Sequence, residues 1–209
     1  MSTLDNASSR SSPFDTSARS PGGFAILFTG LSGAGKSSIA QALADYLQLQ
    51  IKRPVTLLDG DVVRTHLCAD LDFSRAGRAS NIARIAYVAS EVVKHKGIAL
   101  CAVIAPYADS RSTMRNKIME NGCFFEVYVN TPLSVCEARD VKGLYAKARA
   151  GTLHSFTGVS DTYEPPVEPD LILDGSKGSP SLLALTIVDF LVQQKLIETP
   201  TSATDISLG

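Results

Sequence analysis

Short, almost wholly apolar runs recur along the chain and alternate with longer stretches in which apolar residues are spaced three or four apart. Residues 24–29, 55–58, 98–104, 124–129 and 171–173 form the first set, the pattern of strands buried on both faces. Residues 36–49, 81–96, 110–120, 132–139 and 181–194 form the second, the pattern of helices with one face on a core. Buried strands separated by helices predict a parallel sheet covered on both sides, a three-layer α/β domain. Ligands of such a domain gather at the carboxyl ends of the strands. The domain is expected over residues 23–198. Residues 1–22 are Ser-rich, contain Pro13 and Pro21 and lack periodicity, so they read as a flexible arm, and 199–209 as a loose tail. Residues 141–169 have few apolar positions, three glycines (Gly143, Gly151, Gly158) and three prolines near the end. That is long for a connection inside a compact domain and predicts a mobile lid.

Composition changes this picture little. A chain of 209 residues, 44% apolar, suits one domain with tails. The net charge of -1 provides no overall field for nucleic acid or a membrane, so any anion site must be local. The four cysteines and three histidines show neither CxxC pairs nor metal-ligand spacing, which fits a reducing compartment. Cys101 lies in an apolar run and is expected to be buried and inert. No stretch approaches the ~18 apolar residues of a membrane span, and the N-terminus lacks a secretory apolar stretch. Asp5 and Asp15 weaken a transit-peptide reading despite Arg10 and Arg19. The expectation is a soluble cytoplasmic protein without nucleic-acid or membrane partners.

The chemistry concentrates in Gly30-Leu31-Ser32-Gly33-Ala34-Gly35-Lys36-Ser37, a full GxxxxGK[ST] match between an expected strand and an expected helix. Its glycines let backbone N–H groups approach phosphate oxygens, Lys36 places a charge between the β- and γ-phosphates, and Ser37 offers a hard oxygen to Mg²⁺. The helix that follows points its N-terminus at the phosphates. Downstream, Leu57-Leu58-Asp59-Gly60-Asp61 ends a strand with two carboxylates, placed to hold Mg²⁺ or orient a nucleophile; alone, the run reads equally as a strand-ending Asp-Gly turn. A guanine-binding signature would need Asp where Met119 follows Asn116-Lys117-Ile118, and Asp140-Val141-Lys142-Gly143 follows a helix, not a strand. A small-molecule kinase remains. Arg64, Arg78, Arg84, Arg111 and Arg139 lie on elements that can face the strand ends, where an anionic co-substrate needs bidentate donors; singly, each reads as a solvated charge. Phe73 and Phe156 sit in polar surroundings and suit either base stacking or loop packing.

These residues resemble the adenylylsulfate kinase family. The resemblance rests on GLSGAGKSS (30–38), LLDGDVVR (57–64), LDFS with Arg78 and Asn81 downstream, IAPY (104–107) and RDVKGLYAKARAGTLHSFTGVSDTYEPP (139–166). It runs collinearly from about residue 22 to residue 175. It implies a P-loop kinase fold that uses ATP and Mg²⁺ to phosphorylate the 3′-hydroxyl of adenosine 5′-phosphosulfate (APS), giving 3′-phosphoadenosine 5′-phosphosulfate (PAPS). Residues 30–38, Gly33, Gly35, Lys36, Ser37 and Ser38 above all, would hold ATP, with Arg139 at the ATP side. Asp61 would lie near the accepting hydroxyl, and Ser37, Asp59 and Asp61 are the candidate metal residues. Arg64, Arg78 and Asn81 would grip the phosphosulfate and ribose, Phe73 and Phe156 would sandwich the adenine, and Ile104, Ala105 and Lys142 would line the same pocket. The family is usually homodimeric.

Three positions depart from the family pattern. Ala105 stands where Ser is common, which excludes a phosphoserine route through this position and leaves direct in-line transfer. Gly77 replaces an acidic residue before Arg78, which predicts a looser arginine. His154 replaces a lid Lys, which predicts a pH-dependent charge there. Two other readings stay open: a kinase for another small hydroxyl acceptor such as gluconate or shikimate, needing no paired aromatics, and a non-catalytic nucleotide-binding module, which the intact Lys36, Ser37, Asp59 and Asp61 argue against.

Overall fold

The computed structural model describes residues 22–198. The elements in chain order are β1 (Phe24–Thr29), α1 (Lys36–Leu49), β2 (Val55–Asp59), α2 (Gly60–His66), α3 (Arg75–Lys94), β3 (Ile98–Ala102), α4 (Ala108–Met119), β4 (Cys123–Val129), α5 (Leu133–Arg139), α6 (Leu144–Arg149), β5 (Leu171–Leu173) and α7 (Pro180–Gln193). The strands form one five-stranded sheet in the order β2-β3-β1-β4-β5, every pair parallel. The three-layer α/β expectation holds. Apart from Gly22, the expected arm and tail lie outside the described residues.

Alternation along β1 explains the two cores. Phe24, Ile26 and Phe28 face α1 and α7, packing with Ile39, Leu43, Ile187 and Leu191. Ala25 and Leu27 face the opposite side, where Ile85, Ala89, Met114 and Ile118 of α3 and α4 close over them. Successive side chains on a strand point to opposite faces, so a strand with both faces covered must be apolar throughout; all six residues of β1 are buried.

Several boundaries differ from the sequence expectation. Helices α2 and α6 were not expected; seven and six residues long, they are too short to show a period. Helix α3 begins at Arg75, ahead of residue 81, because Ser74 accepts a hydrogen bond from Gly77 N and caps it. Strand β3 stops at Ala102, and residues 103–107 continue as a loop. The expected lid over 141–169 is not featureless: it holds α6 and a buried Phe156-Thr157 pair. The four cysteines are free, and burial pushes the Cys101 thiol up to about 12, as its apolar run predicted. Among the described residues no helix is long and apolar enough to cross a membrane.

Candidate active site

The run between β1 and α1 closes on itself. Gly33 and Gly35 take φ of 74° and 108°, left-handed values that a side chain resists. Gly35 starts α1 with no side-chain cap, which leaves the first-turn N–H groups directed at the cleft. Lys36, 8% exposed, donates from Nζ to Gly30 O (3.0 Å) and Leu31 O (2.7 Å). Burial lowers its pKa to about 8, against the smaller opposing pull of nearby anionic groups.

At the end of β2, Asp59 serves two partners. One carboxylate oxygen accepts from Asp61 N at 2.9 Å and caps α2; the other accepts from the Ser37 hydroxyl at 2.5 Å. Ser37 and Asp59 therefore form a pair of hard oxygens beside Lys36. Asp61 points elsewhere and forms an ion pair with Lys142.

One cavity of about 620 Å³ joins these groups. Ser32, Gly33, Gly35, Lys36, Ser37 and Ser38 line it from the loop, and Asp59, Asp61, Arg64, Phe73, Arg78, Asn81, Ile104, Ala105, Arg139 and Lys142 from elsewhere. Gly30, Leu31 and Ala34 do not line it: the carbonyls of Gly30 and Leu31 hold Lys36, and Ala34 is wholly buried. Arg139 braces the loop, donating to Gly33 O (3.0 Å) and Ala34 O (3.4 Å), and ties it to Gly175 O (2.7 Å).

On the far side, Arg64 donates to Leu71 O (3.0 Å) and Asp72 O (2.8 Å), and its guanidinium lies 4.4 Å from the Phe73 ring centroid. Burial first, and then the Arg78 charge, pull Arg64 below its ordinary pKa. With the Arg78 guanidinium 5.6 Å from the same ring centroid, the two cations leave a local positive field suited to an anion. Asn81 is buried, and its Oδ1 has no hydrogen-bond partner among the described residues. Ala105 adopts φ 44°, a conformation costing a non-glycine residue about 1 kcal/mol, held by Arg111 Nη1 on its carbonyl at 2.9 Å.

Four expectations need correction. Arg84 does not reach the cleft; it is partnered by Asp70 through two bonds of 2.6 and 2.8 Å. Arg111 is buried beneath the cleft and ion-paired with Glu126 at 2.7 Å, because a cation there must be neutralised in place. Phe156, expected in polar surroundings opposite Phe73, is 8% exposed and packs edge-on against Tyr145 at 4.9 Å; it does not line the cavity. Gly77 does not loosen Arg78, which is itself buried: a Cβ at Gly77 would stand 2.6 Å from Asp72 O and 2.2 Å from its carboxylate, so glycine is what lets α3 start here. His154 is exposed. Sequence reasoning missed Tyr145, whose hydroxyl donates to Ser32 O at 2.9 Å, and the lining residues Gly175, Gly178, Pro180 and Leu183, which carry no motif.

Comparison with known proteins agrees with this geometry. The adenylylsulphate kinase family model matches residues 22–174. The adenylyl-sulfate kinase of Halothermothrix orenii is 46% identical over 185 residues, covering 87% of this chain and 96% of that one. The structure of the Mycobacterium tuberculosis APS kinase in complex with AMPPNP and APS aligns with a TM-score of 0.79 at 42% identity, over 83% of this chain and 99% of that one. A hexameric APS kinase from Thiobacillus denitrificans aligns with a TM-score of 0.68 at 38% identity, over 88% of this chain and 31% of that one. With more than half its length matched by the family model and 96% of the Halothermothrix orenii relative covered, this chain belongs to the adenylylsulphate kinase family.

Proposed function

We propose that the chain transfers the γ-phosphoryl group of ATP to the 3′-hydroxyl of adenosine 5′-phosphosulfate. The observation that carries this reading is that a triphosphate loop and a paired-arginine, aromatic-walled subsite line one cavity. Ser32, Gly33, Gly35, Lys36, Ser37 and Ser38 take the ATP phosphates, whose oxygens replace the Gly30 and Leu31 carbonyls as partners of Lys36. Ser37 and Asp59, already hydrogen-bonded to each other, are hard donors that fit Mg²⁺, an ion usually held by one or two protein oxygens together with substrate phosphates. When bound, the ion neutralises charge on the transferring group.

Arg64 and Arg78 take the phosphosulfate, Asn81 the ribose, and Phe73 one face of the adenine. The acceptor oxygen attacks the γ-phosphorus in line, the bond to the β–γ bridging oxygen breaks, ADP leaves, and the hydroxyl proton passes to the Asp61 carboxylate. Lys142 must release Asp61 for that step. Ala105 offers no hydroxyl, so transfer is direct. Catalysis is then positioning and charge neutralisation, with segment 141–169 excluding water. We infer that residues 23–198 form the kinase domain and that it works in the cytoplasm as a homodimer; the free cysteines support the compartment, the family resemblance supports the dimer, and the hexameric relative supports self-association. Incubation with MgATP and APS should give PAPS. Turnover of another small alcohol with no PAPS would overturn the acceptor assignment, and light scattering at the monomer mass would overturn the dimer.

A further inference from the structure

Among the described residues, Arg78, on α3, is the one cavity cation that bonds to both the loop before α3 and segment 141–169. Its Nε donates to Phe73 O at 2.9 Å, and its Nη2 donates to Ser155 O at 2.6 Å. Its side chain is 9% exposed, so most of the charge is out of water and needs neutralising. The nearest anion is Asp161, whose Oδ2 lies 3.6 Å from Arg78 Nε. Asp161 is itself anchored: Tyr107 donates its hydroxyl to both carboxylate oxygens, at 3.0 and 3.3 Å. Tyr107 is buried, covered by the Arg75 guanidinium 4.2 Å from its ring centroid, and its pKa is raised by burial and by Asp161, which keeps it a donor. The Asp161 carbonyl accepts from Gly158 N at 2.8 Å, and Phe156 O accepts from Asp161 N at 3.0 Å, so the carboxylate is built into the turn that carries Phe156. Neither Tyr107 nor Asp161 lines the cavity.

We propose that Asp161, held by Tyr107, is a positioning residue for the acceptor: it neutralises Arg78 from behind, and the guanidinium edge left without a protein partner then faces the phosphosulfate. The proposal rests on the acceptor reading above. It makes a prediction opposite in sign to simple electrostatics. Removing a carboxylate near an anion site raises the local positive potential, which alone would tighten APS binding. If Asp161 acts by positioning, its removal weakens APS binding instead, because an under-neutralised buried guanidinium turns toward solvent.

The test compares wild type with Asp161→Asn, Asp161→Glu and Tyr107→Phe, measuring KM and kcat for APS and ATP, and APS binding by calorimetry. Asp161→Asn should raise the APS KM and Kd about tenfold, the scale of one charge-assisted hydrogen bond, with kcat and the ATP KM within about twofold. Tyr107→Phe should raise the APS KM roughly threefold, and Asp161→Glu should recover part of the loss. An unchanged or lowered APS KM in Asp161→Asn, or an equal loss for ATP, overturns the proposal; if that variant fails to fold, Tyr107→Phe with an unchanged APS KM does the same. Wild-type protein that binds APS without making PAPS refutes the catalytic reading alone, and the calorimetric comparison still decides this one. Wild-type protein that does not bind APS refutes both.

Discussion

The two halves of the cleft are built from different material. The donor half is main chain. One contiguous run supplies the loop, and the groups that brace it, Arg139, Tyr145 and Thr131, bond to its carbonyls. The acceptor half is side chain. Arg64 comes from α2, Phe73 from a loop, Arg78 and Asn81 from α3, and Lys142 from the segment before α6. Here the carbonyls do the bracing, with Leu71, Asp72, Phe73 and Ser155 holding the two guanidinium groups. A main-chain cradle recognises what all nucleoside triphosphates share; a side-chain cradle distinguishes one acceptor from another. Substitutions in the first half should therefore abolish chemistry, and those in the second should change which molecule reacts.

The largest effects test the line where the halves meet. Asp61→Asn should lower kcat a hundredfold or more, roughly the scale of general-base loss, while ATP binding measured by calorimetry stays within about threefold; near-normal turnover removes Asp61 from the chemistry. The two phenylalanines should then separate. Phe73→Ala should raise the APS KM about tenfold, the scale of one lost base stack, and leave the melting temperature alone. Phe156→Ala should instead lower the melting temperature by several degrees, since emptying a buried aromatic site costs about 3 kcal/mol; a pure KM effect would mean that the ring leaves its Tyr145 contact to meet the base.

Lys36 gives a pH test confined to the donor half. Its pKa in the free protein is lowered to about 8 by burial, and bound phosphates raise it again. Below that value the lysine is charged before and after binding, so its contribution is flat. Above it, binding must take up a proton, and ATP affinity should fall by up to tenfold per pH unit. Titration of a fluorescent ATP analogue on either side of pH 8 measures this, and affinity that rises above pH 8 reverses the assignment. The smallest effect belongs to Arg84→Gln. Its exposed pair with Asp70 is screened by solvent, so the melting temperature and both KM values should be unchanged.

The same difference in material explains what the sequence made legible. The donor loop could be read because its groups are contiguous and its glycines report backbone shape. Arg64, Phe73, Arg78, Asn81 and Lys142 could be assigned only through family resemblance, since nothing local says that residues 64 and 142 share a cavity. Phe156 was misplaced because its flanking residues are polar, whereas its burial depends on Tyr145 and the core behind it. Gly175 was invisible for a related reason. A Cβ there would stand 2.2 Å from Ala34 O, a constraint set by a partner far away in the chain. Helices α2 and α6 escaped because one or two turns show no period, although the carboxylate of Asp59 that caps α2 was already singled out for its chemistry.

The strand order β2-β3-β1-β4-β5 has a consequence for how such a protein can diverge. The carboxyl ends of β2 and β3 lead into Asp61, Ile104 and Ala105 on the acceptor side, and those of β4 and β5 into Thr131 and Gly175 on the donor side. Strand β1, which runs into the phosphate loop, is the border, and one strand spacing is only about 4.8 Å. Outside residues 139–175, where they interleave, the two territories are adjacent in space yet carried by separate stretches of chain. Mutation can rewrite one substrate's address while the other's stays intact.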